Sequence, residues 1–285
     1  MNSNQDVASS SYQDAPTRTV SAGGVEFAYR ELGPKSGIPV VFLTHLAAVL
    51  DNWDPRVVDG IAAHHRVIAF DNRGVGASTG ATPKTIEAMA ADAVIFIRAL
   101  GLTQVDLLGF SMGGMIAQVI ARTDPDLVRK LVIAGTGPAG GKGIKNVTRI
   151  SHLDTVRALL TLQDPKQFLF FTRTPNGKRA GKEFLARLKE RKTHRDKPIS
   201  LPSYFAQLKA IHRWGREKPS DLSAIHQPVL VANGDHDRMV PTKNSHDLAR
   251  RLPDSELVIY PDAGHGGIFQ FHGQFVEKTL EFLAR

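Results

Sequence analysis

Short runs of adjacent apolar residues punctuate the chain: Val40-Val41-Phe42-Leu43, Val67-Ile68-Ala69-Phe70, Val105-Asp106-Leu107-Leu108, Leu131-Val132-Ile133, Val229-Leu230-Val231 and Leu257-Val258-Ile259. Continuous β-branched runs of this length predict strands buried on both faces of a mostly parallel sheet. Val25 to Glu31 alternates as an additional early strand. Between the runs, apolar residues recur at helical spacing. Thr85 caps a predicted helix that passes through Met89, Val94, Phe96 and Ile97 and stops at Gly101. Met112 to Arg122 opens from a glycine-rich turn. Thr242 caps a helix through Leu248 to Leu252, ended by Pro253, and Phe275 to Leu283 forms the last one. Strands alternating with helices predict an α/β fold.

Residues 137–220 break the alternation. Leu159, Leu160, Phe168, Phe170, Phe171, Phe184, Leu185 and Leu188 keep helical spacing, and no strand pattern interrupts them. The segment reads as a helical cap inserted before the last two strands, with residues 18–136 and 221–285 as the core. Residues 1–17 are rich in Ser, Asn, Gln and Asp, lack an apolar central run, and read as a frayed tail rather than a secretory signal or anchor.

Composition narrows the function classes. At 285 residues, 42% hydrophobic and 22% charged, the chain can form one large α/β domain with an insertion. It has no cysteine, which excludes disulfides, thiolate metal sites and a cysteine nucleophile and suits a cytoplasmic location. No stretch reaches the roughly 18 apolar residues of a bilayer span. The net charge of +8 concentrates between Lys142 and Lys218. No finger ligands, aromatic ribonucleoprotein motif or RNA-clamping loop accompany it, so nucleic acid is not the expected partner. A solvated helix face is the first reading of that charge; a role toward anionic substrates or surfaces is the other.

The strongest chemical signal is Gly109-Phe110-Ser111-Met112-Gly113, between a strand ending at Leu108 and a helix starting near Met112. In that context G-x-S-x-G makes a sharp strand-to-helix turn that lifts the serine hydroxyl above the sheet. It also aims the Met112 backbone N–H, at a positive helix end, toward a developing oxyanion. A serine hydroxyl needs a base. His265, in Ala263-Gly264-His265-Gly266-Gly267, follows the last strand on a loop of small residues that can approach the turn. Asp237, in Asn233-Gly234-Asp235-His236-Asp237, follows the preceding strand and completes the chain order Ser, Asp, His. Asp235 is the competing carboxylate; its alternative role is to cap turn N–H groups. Consecutive residues converge poorly on one ion, so no metal is expected there.

With these motifs in order, the chain resembles the α/β-hydrolase superfamily, in its serine-nucleophile branch, from about Val25 to Leu283 apart from the cap. Asp71-Asn72-Arg73-Gly74-Val75-Gly76-Ala77-Ser78 is similar to that family's D-x-R-G-x-G-x-S turn, and Gly234, Asp237, Val240 and Pro241 to its acid loop. The resemblance implies an eight-stranded, mostly parallel sheet with helices on both faces, the triad Ser111, Asp237 and His265, and no cofactor. It departs from the family at Thr44-His45-Leu46-Ala47, where His-Gly is usual. Leu46 then supplies the second oxyanion N–H beside Met112, and His45, Phe110 and Trp53 are expected to bind substrate. The implied reaction is hydrolysis of a small-molecule carboxylic ester or lactone through an acyl-enzyme. A cofactor-free haloperoxidase or perhydrolase and a carbon–carbon bond hydrolase use the same triad. The non-enzymatic alternative is a ligand-binding sensor on this scaffold. Haloalkane dehalogenases and epoxide hydrolases of this fold carry Asp where Ser111 stands. Oligomeric state is not legible.

Overall fold

The computed structural model describes residues 11–285. Its eight strands are β1 (Arg18–Ala22), β2 (Val25–Leu32), β3 (Val40–Leu43), β4 (Val67–Phe70), β5 (Val105–Phe110), β6 (Val128–Ala134), β7 (Val229–Gly234) and β8 (Ser255–Tyr260). They form one sheet in the order β1-β2-β4-β3-β5-β6-β7-β8. The β1–β2 and β2–β4 pairs are antiparallel, and every later pair is parallel. The mostly parallel α/β architecture inferred from the apolar runs, with the eight strands that the family resemblance implies, is the architecture observed.

The runs are continuously apolar because alternate residues feed separate cores. Val41, Leu43, Ile68, Phe70, Leu131 and Ile133 enter one buried cluster, while Val40, Phe42, Val67, Ala69 and Val132 enter the other. Helices α1 (Pro55–Ala62), α9 (Gly267–Gln270) and α10 (His272–Ala284) cover the second face. The first is covered by α2 (Ile86–Ala99), α3 (Met112–Thr123) and α8 (Lys243–Arg251). From β3 the chain runs outward to β4, then crosses back to β5 and continues the other way. The loops after β3 and β5 therefore flank a topological switch point, where open α/β sheets bind ligands at the carboxyl ends of their strands.

Between β6 and β7 lie four α-helices: α4 (Val147–Thr161), α5 (Pro165–Phe170), α6 (Pro175–Arg187) and α7 (Leu201–Trp214). Asp164, Thr174 and Ser200 cap the last three, each accepting from a first-turn N–H, with proline at the first or second helical position. A buried ion cluster ties this insertion to the sheet: Arg30 on β2 lies 2.8 Å from Asp51 and 2.8 Å from Asp196.

Two readings of the sequence need correction. Residues 1–10 of the expected tail lie outside the described residues, but residues 11–17 are not frayed. Tyr12 is buried, donates its hydroxyl to the Leu50 carbonyl (2.9 Å), and donates its N–H to Asp59 (2.6 Å). Arg191 of the insertion donates to the carbonyls of Gln13 and Ala15. The other correction concerns β1, which no apolar run announces. It is a half-exposed edge strand hairpinned onto β2, so its sequence Arg-Thr-Val-Ser-Ala carries little apolar signature.

Candidate active site

Strand β5 ends at Phe110 and α3 begins at Met112, so the whole turn falls on Ser111, whose backbone is forced to φ 56°, ψ −114°. A non-glycine residue pays for that conformation, and tight packing holds it. The Ser111 N–H donates to the Ala134 carbonyl on β6 (2.8 Å), and Thr136 donates its hydroxyl to the Ser111 carbonyl (2.8 Å). Space dictates the flanking glycines: a Cβ at position 113 would sit 1.9 Å from the Leu43 carbonyl oxygen, and one at 109 would sit 2.4 Å from the Gly113 carbonyl oxygen. Met112 is the first residue of α3, so its N–H is one of those with no acceptor inside the helix.

His265 follows β8 and lies beside this turn. Its ring centroid is 5.0 Å from that of Phe110, and its Nδ1 is 3.2 Å from where a Cβ would project at Gly135, next to Ala134. The Nδ1 is also 2.8 Å from Asp237 Oδ2, with both side chains sealed from solvent. A carboxylate only accepts, so the imidazole proton sits on Nδ1 and the Nε2 lone pair is left to act as a base. Asp237 is itself held: its Oδ1 accepts the N–H groups of Met239 (2.8 Å) and Val240 (3.0 Å). The competitor Asp235 turns elsewhere, to the Ala263 N–H (3.1 Å) and to His236 (2.6 Å), whose pKa this hydrogen bond raises.

The loop after β3 packs on the same aromatic rings. His45 Nδ1 lies 2.8 Å from the Leu46 carbonyl, and its ring stands edge-on to Phe110 (5.3 Å) and Phe170 (5.1 Å). Burial pushes its pKa down to about 3, which keeps it neutral, and its Nε2 has no partner. Leu46 is half-buried. Ala47 adopts a left-handed φ of 62°, and its N–H donates to the Oε1 of Gln207 on α7 at 2.8 Å. Gln207 is fully buried and its Nε2 is unpartnered.

Of the three residues expected to touch substrate, Phe110 and Trp53 do not reach a surface. Phe110 is 0% exposed beneath His45 and His265. Trp53 packs edge-on against Phe42 in the second core. His45 is closer to the site but almost fully covered. Sequence reasoning missed Gln207, and read Phe170 as an apolar residue of the insertion without its contact to the histidine loop. The Phe170 carbonyl accepts the Gly266 N–H at 2.7 Å, and its ring packs on His265, clamping the histidine loop from the insertion. Neither residue carries a local signal, since each acts through a partner far along the chain. A cavity of about 630 Å³ opens on the Asp237–His265 flank, walled by Phe168, Leu169, Phe171, Thr172, Arg173 and Arg238.

Comparison with known proteins identifies the family and the fold. The model of the alpha/beta hydrolase fold family matches residues 38–271. A solved alpha/beta hydrolase fold protein from Chitinophaga pinensis superposes with a TM-score of 0.91 at 41% identity, over 95% of this chain and 98% of that one. The structure of Est816, described as an N-acyl homoserine lactone degrading enzyme, gives a TM-score of 0.73 at 26% identity, over 93% and 100%. A non-heme haloperoxidase of Rhodococcus erythropolis is 27% identical over 86% of this chain and 91% of its own. The chain therefore belongs to the alpha/beta-hydrolase fold family, as a hydrolase.

Proposed function

We propose that the protein is a serine hydrolase that cleaves a carboxylic ester or lactone through an acyl-enzyme. The observation that carries the reading is the buried 2.8 Å pair of His265 and Asp237 beside a serine held at a strained strand-to-helix turn. His265 takes the Ser111 hydroxyl proton as the oxygen attacks the substrate carbonyl. The Met112 and Leu46 N–H groups receive the oxyanion, each worth about 3 kcal/mol by precedent. Collapse expels the alcohol, which takes that proton from His265. Water, deprotonated by the same imidazole, then releases the acid. The apolar cavity wall suits an acyl chain or ring, and a lactone fits the activity named for Est816.

The test is steady-state turnover of p-nitrophenyl acetate and butyrate and of lactones of graded ring and chain length, with Ser111→Ala as control. Multiple turnover that Ser111→Ala abolishes is the expected result. Persistence of turnover in Ser111→Ala removes the serine mechanism, and binding without turnover makes the chain a sensor. Adding peroxide and halide to the same assay separates a haloperoxidase.

A further inference from the structure

The basic excess is not spread over the molecule. Residues 142–218 hold 19 Lys and Arg against six Asp and Glu, a net of +13, so the remaining residues carry −5. The same segment holds most of the exposed large hydrophobic side chains. Of the eight large hydrophobic side chains exposed among the described residues, all but Ile95 lie in the insertion. Leu153, Val156, Leu159 and Leu160 stand on α4, and Leu201 and Phe205 on α7. Leu160 is 81% exposed, and Leu162, just past the end of α4, is 96% exposed.

The two helices make one face. Val147, Ser151, Asp154 and Ala158 form the buried stripe of α4, which leaves Arg149, His152, Leu153, Val156 and Leu160 at helical spacing on the outside. His152 lies 6.4 Å from the Tyr204 ring and 6.3 Å from the Phe205 ring of α7. A depression of about 690 Å³ runs between the helices, with Leu153 and Phe205 in its wall and Lys145, Arg149, Lys209 and His212 around it. Neither helix places a carboxylate on this face: Asp154, the sole acid of α4, is buried against Arg238, and α7 has none.

Contiguous exposed apolar patches on soluble chains mark interaction sites. Here the rim decides the partner. A second copy would oppose cations to cations, with no carboxylate in the patch to meet them. An anionic bilayer surface offers lipid phosphates to the rim and an apolar layer to the leucines. We propose that the outer face of α4 and α7 docks on an anionic lipid bilayer surface, lying in its interface with the leucines and Phe205 inserted. No helix among the described residues is long and apolar enough to cross a membrane, so the mode is peripheral. The inference stands apart from the serine chemistry, because no triad residue lies on this face.

The test is flotation of the full chain with vesicles of phosphatidylcholine, with and without about 30 mol% phosphatidylglycerol, at low and high salt. Expected is capture by the anionic vesicles alone, weakened by salt. Leu159→Glu combined with Leu160→Glu should weaken partitioning more than tenfold. Arg149→Glu combined with Lys209→Glu should weaken it by at least about fivefold per cation replaced. Turnover of p-nitrophenyl acetate without vesicles should stay unchanged in both variants, and Ser111→Ala should float like the parent. A chain that stays in solution with anionic vesicles at low salt overturns the proposal. So do face variants that float unchanged. A dimer in sedimentation velocity that Leu160→Glu splits gives the face to a second copy instead.

Discussion

Replacing Asp237 by Asn tests the candidate site most sharply, because the side chain does two separable things. Its Oδ1 accepts the Met239 and Val240 N–H groups, which shapes the loop, and its Oδ2 accepts Nδ1–H of His265. Asparagine keeps a carbonyl oxygen for the first task, so the loop and fold survive. The second position then presents an N–H₂ to the imidazole. His265 must then move its proton to Nε2, which removes the basic lone pair there, or keep Nδ1–H without its acceptor, which leaves the ring unoriented and its imidazolium without a carboxylate. By the precedent of carboxylate-to-amide exchange in triads the loss in kcat is about 10⁴-fold, equivalent to about 5.5 kcal/mol of transition-state stabilisation at 1.36 kcal/mol per tenfold. The melting temperature should move little. The assay is p-nitrophenyl butyrate turnover with circular dichroism melts, run beside Asp235→Asn. Asp235 meets the Ala263 and Asp262 backbone and the exposed His236, and not His265, so its variant should lose less than about tenfold. If Asp235→Asn collapses while Asp237→Asn turns over normally, the acid assignment is wrong.

Two more expectations follow from the loop after β3. Gln207→Leu strips the acceptor from the Ala47 N–H at a left-handed residue, a cost of about 1–3 kcal/mol. It should lower kcat about tenfold with less change in KM, and adding Ala47→Gly, which relieves the backbone, should restore part of the loss; unchanged kcat in Gln207→Leu refutes the brace. His45 titrates at 6.5 when unfolded but is lowered to about 3 by burial when folded, so its contribution is present above 6.5 and is lost as pH falls toward 3, at about 1.4 kcal/mol per unit. Melts of the parent and His45→Gln between pH 7 and about pH 4 check this, the parent falling more steeply; parallel slopes refute it.

What was legible in the sequence is what a few neighbouring residues decide among themselves. Val40 to Leu43 reads as strand because both of its faces are buried, and Gly109-x-Ser111-x-Gly113 reads as a sharp turn because a Cβ at either glycine meets backbone. The order Ser111, Asp237, His265 was readable because each residue sits just past a strand end, and a parallel sheet brings such ends to one edge. Illegible were features whose partner lies on a distant element. Tyr12 has polar neighbours in the sequence, and it is the Leu50 carbonyl, Asp59, the Arg30 guanidinium over its ring and its place in the second core that make it part of the fold. Trp53, expected at the substrate, is drawn into the core by the Phe42 ring, a partner the sequence does not show. Gln207 looks like any polar residue of an amphipathic helix until it meets Ala47, 160 positions away. The departure from His-Gly after β3 and the buried glutamine then belong together. A loop that lacks glycine yet needs a left-handed residue must be held by something outside itself, and the insertion holds it. Activity in this chain should therefore depend on how α7 packs over the sheet, a dependence that a glycine at position 47 would loosen.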